Sequence, residues 1–449
     1  MMTPVLVCIL TEVQILLSLN SIFKKSKYSY FPFEVTILIF WIINFYFSWN
    51  YFGLFIILNY ATLFYLLDLQ NKNINKILIV LIYNLIFNLS VIYWILEINK
   101  LTGFFSILIN SIILTISFFP ILLTSNKYYL ILCYVVFEYL STFWFISFPW
   151  LNLGNIFGNS TYLVQWYYFT SVYGGSLWIL FLSYFLFKSL KKRNYIYIFL
   201  GVLSIPILIS LLILKNISNQ NYELKYKVLV INKNNTNLSN YNKIKEIISI
   251  VEKNKIDYVI TPEVYFNDFM IDDLESGSLN VFYNRLKNNK TLFIFGADLI
   301  ENKKYYNSVI IIGNKQITNQ IKSKLVPVNE YINPNFTKIL GKSKYNKKKS
   351  VEIKKNIKNL NILICYESVF SFYKKRNKLN FIITSETFIK DIQIAKLQYL
   401  NICKIRAIEN KTQFIKCSND GINAIIDERG FIILKNIENF SIINYPIKN

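Results

Sequence analysis

The sequence changes character across IYIFLGVLSIPILISLLIL (196–214), KNISNQNYELK (215–225) and YKVLVI (226–231). The first of these segments is apolar and uncharged, and it is long enough for a helix to cross a hydrocarbon core about 30 Å thick. The last segment is a short apolar run, typical of a buried strand. The stretch therefore predicts a membrane half before it and an α/β half after it.

We divide the 449-residue chain accordingly into a transmembrane domain of seven or eight helices (1–215), a linker (216–224) and an outer domain (225–449). Hydrophobic residues make up 53% of the sequence. The first domain holds 12 of the 49 Lys and Arg residues and 5 of the 26 Asp and Glu residues. All seven Trp residues lie at or before Trp178. These differences indicate two halves in different surroundings.

The charge of the connecting segments predicts how the first half is oriented. The candidate spans are 33–48, 51–68, 77–96, 104–124, 128–148, 170–188 and 196–214. A further apolar stretch, 5–22, predicts an eighth span, an interfacial helix or a processed segment. One side of the membrane receives Lys24, Lys25, Lys27, Lys72, Lys76, Lys127, Lys188, Lys191, Lys192 and Arg193. The other side receives only Lys100, which by the positive-inside rule places the outer domain away from the cytoplasm.

The chain contains no histidine, and this excludes several kinds of site. Ser-His-Asp and Cys-His nucleophiles and His-containing zinc sites are impossible. The five cysteines have no metal-like spacing, so we predict neither a metal site nor a disulfide framework. The net charge of +23 in so apolar a chain favours anionic lipid head groups over nucleic acid as a partner.

The sequence pattern of the outer domain predicts an α/β fold. Strands are predicted at 226–231, 257–262, 291–296, 307–312, 361–365, 380–384 and 413–417. Helices are predicted at 241–253, 272–289 and 392–410, and a hairpin at 424–434. In such domains the functional side chains gather where strands end, so the polar residues at those ends are the candidates for a site.

Two residues at predicted strand ends, together with a lysine from the segment between them, can carry out acyl transfer without histidine. They are Glu263, Cys365, and a lysine from the stretch Lys322-Ser-Lys324. The thiolate would be the nucleophile, and we expect a neighbouring ammonium to lower its pKa from about 8.5. A carboxylate takes the thiol proton, and the ammonium stabilises the oxyanion. Spacing alone equally allows a buried core cysteine, a solvated glutamate and a surface lysine.

Longer motifs point to a known family. They are Thr261-Pro-Glu263, Lys322-Ser-Lys-Leu-Val-Pro-Val-Asn-Glu330, Ile364-Cys365-Tyr-Glu367, Gly296-Ala-Asp298, Tyr306-Asn-Ser308, Arg406-Ala-Ile-Glu409, Ser418-Asn-Asp-Gly421, Tyr93-Trp94-Ile95, Phe137-Glu138-Tyr-Leu, Phe148-Pro-Trp-Leu-Asn-Leu-Gly154 and Val172-Tyr-Gly174. This set resembles the apolipoprotein N-acyltransferases, which are the membrane branch of the nitrilase (carbon–nitrogen hydrolase) superfamily.

The resemblance implies a nitrilase-like αββα sandwich on the periplasmic face of the bacterial inner membrane. It implies transfer of an acyl chain from a phospholipid, through a cysteine thioester, to the N-terminal amine of diacylglyceryl-cysteine lipoproteins, with no cofactor or metal. Carried onto this chain, Cys365 is the nucleophile, Glu263 the general base and Lys322 the oxyanion-stabilising amine. Supporting roles fall to Glu330, Tyr366 and Glu367.

Five further residues are candidates for a lipid or substrate cleft: Phe148, Pro149, Trp150, Glu138 and Tyr241. The uncharged aromatic stretch 149–169 predicts either an interfacial aromatic belt or the floor of a cleft below the outer domain. Glu138 lies in the middle of a predicted span, where a carboxylate is either hydrogen-bonded packing or functional. Tyr241 stands near the position where the family has a functional tryptophan.

The chain also departs from the family pattern. After the strand that follows the nucleophile, the family usually has Ser-Asn-Asp-x-Trp-Phe-Gly, whereas this chain has Thr384-Ser-Glu386-Thr-Phe388. The last residues, 436–449, are too short and polar for the final membrane helix of many members. Two other functions therefore stay open, namely a nitrilase-like acyltransferase or amidase with a different acceptor, and an inactive homologue.

Overall fold

A computed structural model describes residues 31–448, except 123, 125, 219–221, 233–237, 271–282, 287–289, 314–315, 333, 335–336, 338–341, 348–359 and 372–378. The predicted segment 5–22 and most of the predicted helix 272–289 lie outside the described residues.

The first half of the described chain is helical. Its α-helices are α1 (Phe31–Asn50), α2 (Ile56–Leu69), α3 (Asn73–Val91), α4 (Ile95–Ile98), α5 (Lys100–Ile116), α6 (Lys127–Ser141), α7 (Tyr167–Lys191) and α8 (Tyr195–Ser218). Short 3₁₀ turns at Pro149–Leu151, Leu153–Asn159 and Thr161–Leu163 join α6 to α7. The stretch 149–163 is therefore a compact, buried set of turns.

Each of the seven predicted spans between residues 33 and 214 overlaps a helix, but the helices are often shorter than the apolar segments. Three of the described helices are long and apolar enough to cross a membrane: Asn73–Val91, Tyr167–Lys191 and Tyr195–Asn216. The predicted span 128–148 is wrong in its extent, because α6 ends at Ser141 and residues 142–148 are not helical. Only 11% of the apolar stretch of helix α8 is buried, so its side chains face outward, as contact with lipid requires.

The second half contains two β-sheets. Its strands are β1 (Tyr222–Val230), β2 (Tyr258–Ile260), β3 (Phe266–Met270), β4 (Leu292–Glu301), β5 (Lys304–Gly313), β6 (Gln316–Ile321), β7 (Leu360–Ile364), β8 (Leu379–Ser385), β9 (Phe414–Asn419), β10 (Ala424–Ile426), β11 (Ile432–Lys435) and β12 (Ser441–Lys448). One sheet has the order β12-β1-β2-β4-β5-β6, with β3 paired to β4, and the other has the order β11-β10-β9-β8-β7.

The two sheets pack face to face between two helices, α9 (Asn240–Lys253) and α10 (Gln393–Asn410). Successive strand residues point to opposite faces. In β1, Val228 and Val230 join the core between the sheets, while Leu229 faces the core under α9. In β7, Ile362 points between the sheets, and Leu363 points towards the α10 side. The second half is thus a helix–sheet–sheet–helix sandwich, which confirms the predicted fold class.

Helix α10 also joins the two halves of the molecule. The Gln398 side-chain carbonyl accepts hydrogen bonds from the indole N–H groups of Trp94 and Trp150, both at 3.1 Å. Further along, the Glu409 carboxylate accepts the Val172 N–H at 2.7 Å, beside the break in α7 at Ser171. An anionic group is favourable at a helix N-terminus, so Glu409 caps the long part of α7.

Candidate active site

The site lies where β2, β6 and β7 end. Glu263 follows β2 by three residues, Lys322 follows β6 directly and Cys365 follows β7 directly. The strands β2 and β7 belong to opposite sheets, and their ends meet at the same edge of the sandwich. The fold therefore brings together the three residues that the sequence places far apart.

Lys322 is held between two carboxylates. Its Nζ lies 2.7 Å from Oε1 of Glu263 and 2.8 Å from Oε1 of Glu330. The lysine side chain has no exposed surface. Burial alone would lower the pKa of Lys322, but the charges of Glu263, Cys365 and Glu330 raise it well above its ordinary value. The site thus keeps a fixed positive charge beside the thiol.

Glu263 is fixed through both carboxylate oxygens. Oε1 accepts hydrogen bonds from Lys322 and, at 2.7 Å, from the Asn307 side chain. Oε2 accepts the backbone N–H of Ser385 at 3.0 Å. The interaction of Glu263 with the neighbouring Cys365 thiol raises the pKa of that thiol. A carboxylate beside the thiol can receive its proton.

Cys365 adopts a strained backbone conformation, and its surroundings raise the pKa of its thiol. Its φ of 46° lies in the left-handed region, which non-glycine residues seldom adopt and which is often found at functional sites. Part of the residue remains exposed. Burial of the thiol, together with the charge of Glu263, raises its pKa well above the ordinary value, and Lys322 offsets only part of this. Lys322 thus lowers the thiol pKa, as expected from the sequence, but burial and Glu263 raise it more.

The three predicted supporting residues each fix a different part of the site. Glu330 accepts the Val326 N–H at 2.8 Å through the oxygen that does not meet Lys322. Glu367 accepts the N–H groups of Ser323 at 2.7 Å and Ile364 at 2.8 Å. It thereby ties the loop after Lys322 to the residue before Cys365. The Tyr366 hydroxyl donates to the Ser147 carbonyl at 2.6 Å, which links the nucleophile loop to the helical half.

Two residues of the site were not predicted. Asn307 donates to Glu263 and, through its own backbone carbonyl, accepts the Lys322 N–H at 2.8 Å. Its place in the motif Tyr306-Asn-Ser308 could have marked Asn307 as a site residue. Tyr399 donates its hydroxyl to the Cys365 carbonyl at 2.9 Å. It lies on a predicted helix, and nothing local in the sequence marks it.

The predicted cleft residues separate into two groups. The Trp150 ring stacks on Tyr399 at 5.5 Å, and Phe148 lies parallel to Trp150 at 6.4 Å, so these aromatics lead from the helical half to the nucleophile loop. Pro149 is buried at the start of the same turn. Glu138 is also buried, and its Oε1 accepts the Leu153 N–H at 2.5 Å, so this carboxylate holds the 3₁₀ turns.

Tyr241 is not brought to the site. It is exposed at the start of α9, where it accepts a hydrogen bond from Arg285 at 2.9 Å. Within the described ranges, no group of three or more Cys, Asp or Glu side chains is placed to hold a metal ion.

Comparison with known proteins accounts for both halves. The model of the apolipoprotein N-acyltransferase N-terminal domain matches residues 40–185, and that of carbon–nitrogen hydrolases matches residues 231–443. The chain belongs to the apolipoprotein N-acyltransferase family. Membership in this family of the nitrilase superfamily makes it an enzyme, and together with the apolar helices a bacterial membrane protein.

Two curated relatives agree with this assignment. The chain is 27% identical to the apolipoprotein N-acyltransferase of Rickettsia typhi, over 74% of this chain and 71% of the relative. It is 26% identical to that of Aquifex aeolicus, over 64% and 68%. Among solved structures, a carbon–nitrogen hydrolase superfamily protein from Xanthomonas campestris matches with a TM-score of 0.36 and 12% identity, over 49% of this chain and 90% of that one.

Proposed function

We propose that this protein transfers an acyl chain from a phospholipid to the N-terminal amine of diacylglyceryl-cysteine lipoproteins, through a thioester on Cys365. The observation that carries the proposal is the contact set of Glu263. Its carboxylate lies 2.7 Å from the Lys322 ammonium, and its interaction with the neighbouring Cys365 thiol raises the pKa of that thiol. A base, a nucleophile and a positive charge thus converge on one point without histidine.

In the first half-reaction, Glu263 takes the proton from the Cys365 thiol while the sulfur attacks an ester carbonyl of the phospholipid. Lys322 is fixed beside the thiol, and its charge stabilises the oxyanion of the tetrahedral intermediate. The intermediate collapses by breaking the bond to the ester oxygen, which takes the proton from Glu263. The products are lysophospholipid and an acyl thioester on Cys365.

In the second half-reaction, the amine of the lipoprotein attacks the thioester carbonyl. Glu263 accepts a proton from the attacking nitrogen, the carbon–sulfur bond breaks, and the proton passes to the departing Cys365 thiolate. The raised pKa of the Cys365 thiol favours its return to the protonated state. An amide remains on the acceptor, and the enzyme is restored.

The helical half supports an inner-membrane location with the α/β half facing the periplasm. Lys191 forms an ion pair with Asp68, so the connection between α7 and α8 meets the end of α2. Lys127, at the start of α6, interacts electrostatically with Asp68, Lys76, Lys188 and Lys191, so these charged residues lie near one another. Gln398 of α10 binds the backbone carbonyl of Val91, at the end of α3 away from Lys76. The basic connections therefore lie opposite the α/β half, as the positive-inside rule requires for a periplasmic site.

The orientation predicts which introduced cysteines an impermeant thiol reagent reaches in intact cells. Lys342 is exposed in the α/β half, and Lys72 is exposed in the basic connection between α2 and α3. We expect Lys342→Cys to be labelled by an impermeant maleimide before lysis, and Lys72→Cys only after lysis. The unmodified protein gives the background from its own cysteines. The reverse labelling pattern means that the orientation is wrong.

The function itself predicts N-acylation of a lipopeptide. Purified protein in detergent, given phospholipid and a synthetic diacylglyceryl-cysteine peptide, should produce a peptide heavier by one acyl group at its α-amine. An otherwise identical peptide with an acetylated N-terminus is the matched control and should not react, because it has no free amine. Transfer to both peptides would show that the acceptor group is not the N-terminal amine. Transfer to neither peptide, together with acylation of small amines, would show that the acceptor is a different molecule.

A further inference from the structure

A second buried ion pair lies behind the site, formed by Glu386 and Lys416. Glu386 follows β8, and Lys416 lies on the neighbouring strand β9. The lysine side chain has no exposed surface, and the glutamate side chain is 1% exposed. Glu386 lies in the segment where this chain departs from the family pattern, and neither residue takes part in the proposed chemistry.

Glu386 holds the segment that binds the proposed base. Its Oε1 accepts hydrogen bonds from the hydroxyls of Thr384 at 3.1 Å and Ser418 at 2.8 Å. The Ser385 N–H, between Thr384 and Glu386, donates to Oε2 of Glu263. The Thr384 carbonyl accepts the backbone N–H of Glu263. The carboxylate of Glu386 therefore fixes the residues that position Glu263.

Lys416 reaches the other side of the site. Its Nζ lies 5.0 Å from the ring centre of Tyr399, whose hydroxyl donates to the Cys365 carbonyl. The same Nζ donates to the Ile422 carbonyl at 2.9 Å. A cation above an aromatic ring is attracted by the ring, and most strongly where water is excluded. The ammonium therefore helps to fix the ring that supports the nucleophile loop.

We propose that Glu386 and Lys416 form a positioning pair that sets the alignment of Glu263 with Cys365. The inference builds on the proposed function. A buried ion pair is weak grounds for stability, because desolvation offsets most of the attraction. Here Glu386 contacts the segment that positions Glu263, and Lys416 lies against the Tyr399 ring, which supports Cys365. Close packing around the ion pair also explains why residue 421 is a glycine, since a Cβ at Gly421 would lie 2.3 Å from Cδ of Glu386.

The test compares Glu386→Gln, Lys416→Met and the double variant by two rates in full-length protein. One is alkylation of Cys365 by iodoacetamide, and the other is single-turnover thioester formation with phospholipid. We expect each single variant to lower both rates about tenfold or more, with the half-saturating phospholipid concentration within about twofold of wild type. The double variant should recover part of the loss, because neither charge is left alone.

The matched control is Asp427→Asn, which removes a fully buried carboxylate from its pair with Arg429 in the β10–β11 turn. It should lower stability without slowing either rate. If a single variant fails to fold, Ser418→Ala removes one donor to Glu386 and should slow both rates less strongly. Rates within twofold of wild type in the folded single variants, or losses equal to that of Asp427→Asn, overturn the proposal.

The two readouts keep this inference separate from the proposed function. Iodoacetamide needs only a correctly placed base and thiol, whereas thioester formation also needs phospholipid as the acyl donor. A wild-type protein that is alkylated at Cys365 but never acylated would contradict the proposed function. The alkylation rates of the variants would still decide whether the pair positions the site.

Discussion

Replacing Cys365 with serine should abolish acyl-enzyme formation and lower acyl transfer by about 10³-fold or more. The serine hydroxyl is nearly the same size as the thiol, so the contacts of Glu263 and Lys322 should survive. A hydroxyl is far less acidic than a thiol, and the Glu263 carboxylate is too weak a base to deprotonate it. Intact-protein mass spectrometry after incubation with phospholipid should show an acyl-sized, hydroxylamine-labile mass increase on the wild type alone.

Cys133 supplies the matched control for this substitution. It is a partly buried, unpaired cysteine in α6, within the helical half. Cys133→Ser should retain the adduct, and peptide mapping should locate it on Cys365. An adduct that persists in Cys365→Ser, or that maps to another cysteine, would exclude Cys365 as the nucleophile. The absence of any adduct on folded, lipid-bound wild type would favour an inactive homologue.

The meeting of Glu263 and Cys365 could be predicted because each follows an apolar strand directly or closely. Apolar runs mark the ends of β2 and β7 in the sequence, and strand ends meet at an edge of the fold. Lys322 is harder, because β6 has the polar sequence QITNQI and was not predicted. The Leu-Val-Pro motif after Lys322 selected this residue instead of Lys324.

Contacts between distant segments could not be predicted from local patterns. Tyr399 lies 34 residues from Cys365, whose carbonyl it binds, and its position on α10 looks like any amphipathic helix position. The final strand β12 was not predicted because SIINYPIK contains polar residues and a proline, yet it pairs antiparallel with β1 at the sheet edge.

The effect of burial on the thiol pKa could not be predicted for a similar reason. From the sequence, an ammonium beside a cysteine suggests a stabilised thiolate. In the fold, burial and the nearby Glu263 together raise the pKa of the Cys365 thiol more than Lys322 lowers it. The proposed mechanism therefore requires Glu263 as the acceptor of the thiol proton.

This requirement makes Glu263→Gln the second substitution with a large expected effect. Glutamine keeps the size of the side chain and can still accept hydrogen bonds from Lys322 or Ser385, but it cannot take the thiol proton. General-base catalysis contributes typically 10²–10⁴-fold, so we expect about that loss in the single-turnover rate of thioester formation. The amount of bound phospholipid should stay close to that of wild type, because Glu263 acts on the thiol and is not needed to hold the lipid.

Glu330→Gln is the control that separates base catalysis from the loss of a charge beside Lys322. Both glutamates lie within 3 Å of the Lys322 Nζ, at 2.7 and 2.8 Å, so each substitution removes one negative charge from the same ammonium. Glu263 interacts with the Cys365 thiol more strongly than Glu330 does. If proton transfer is its role, Glu263→Gln should lower the rate at least about tenfold more than Glu330→Gln. Equal losses would mean that the two carboxylates act only by holding Lys322, and that the thiol proton leaves by another path.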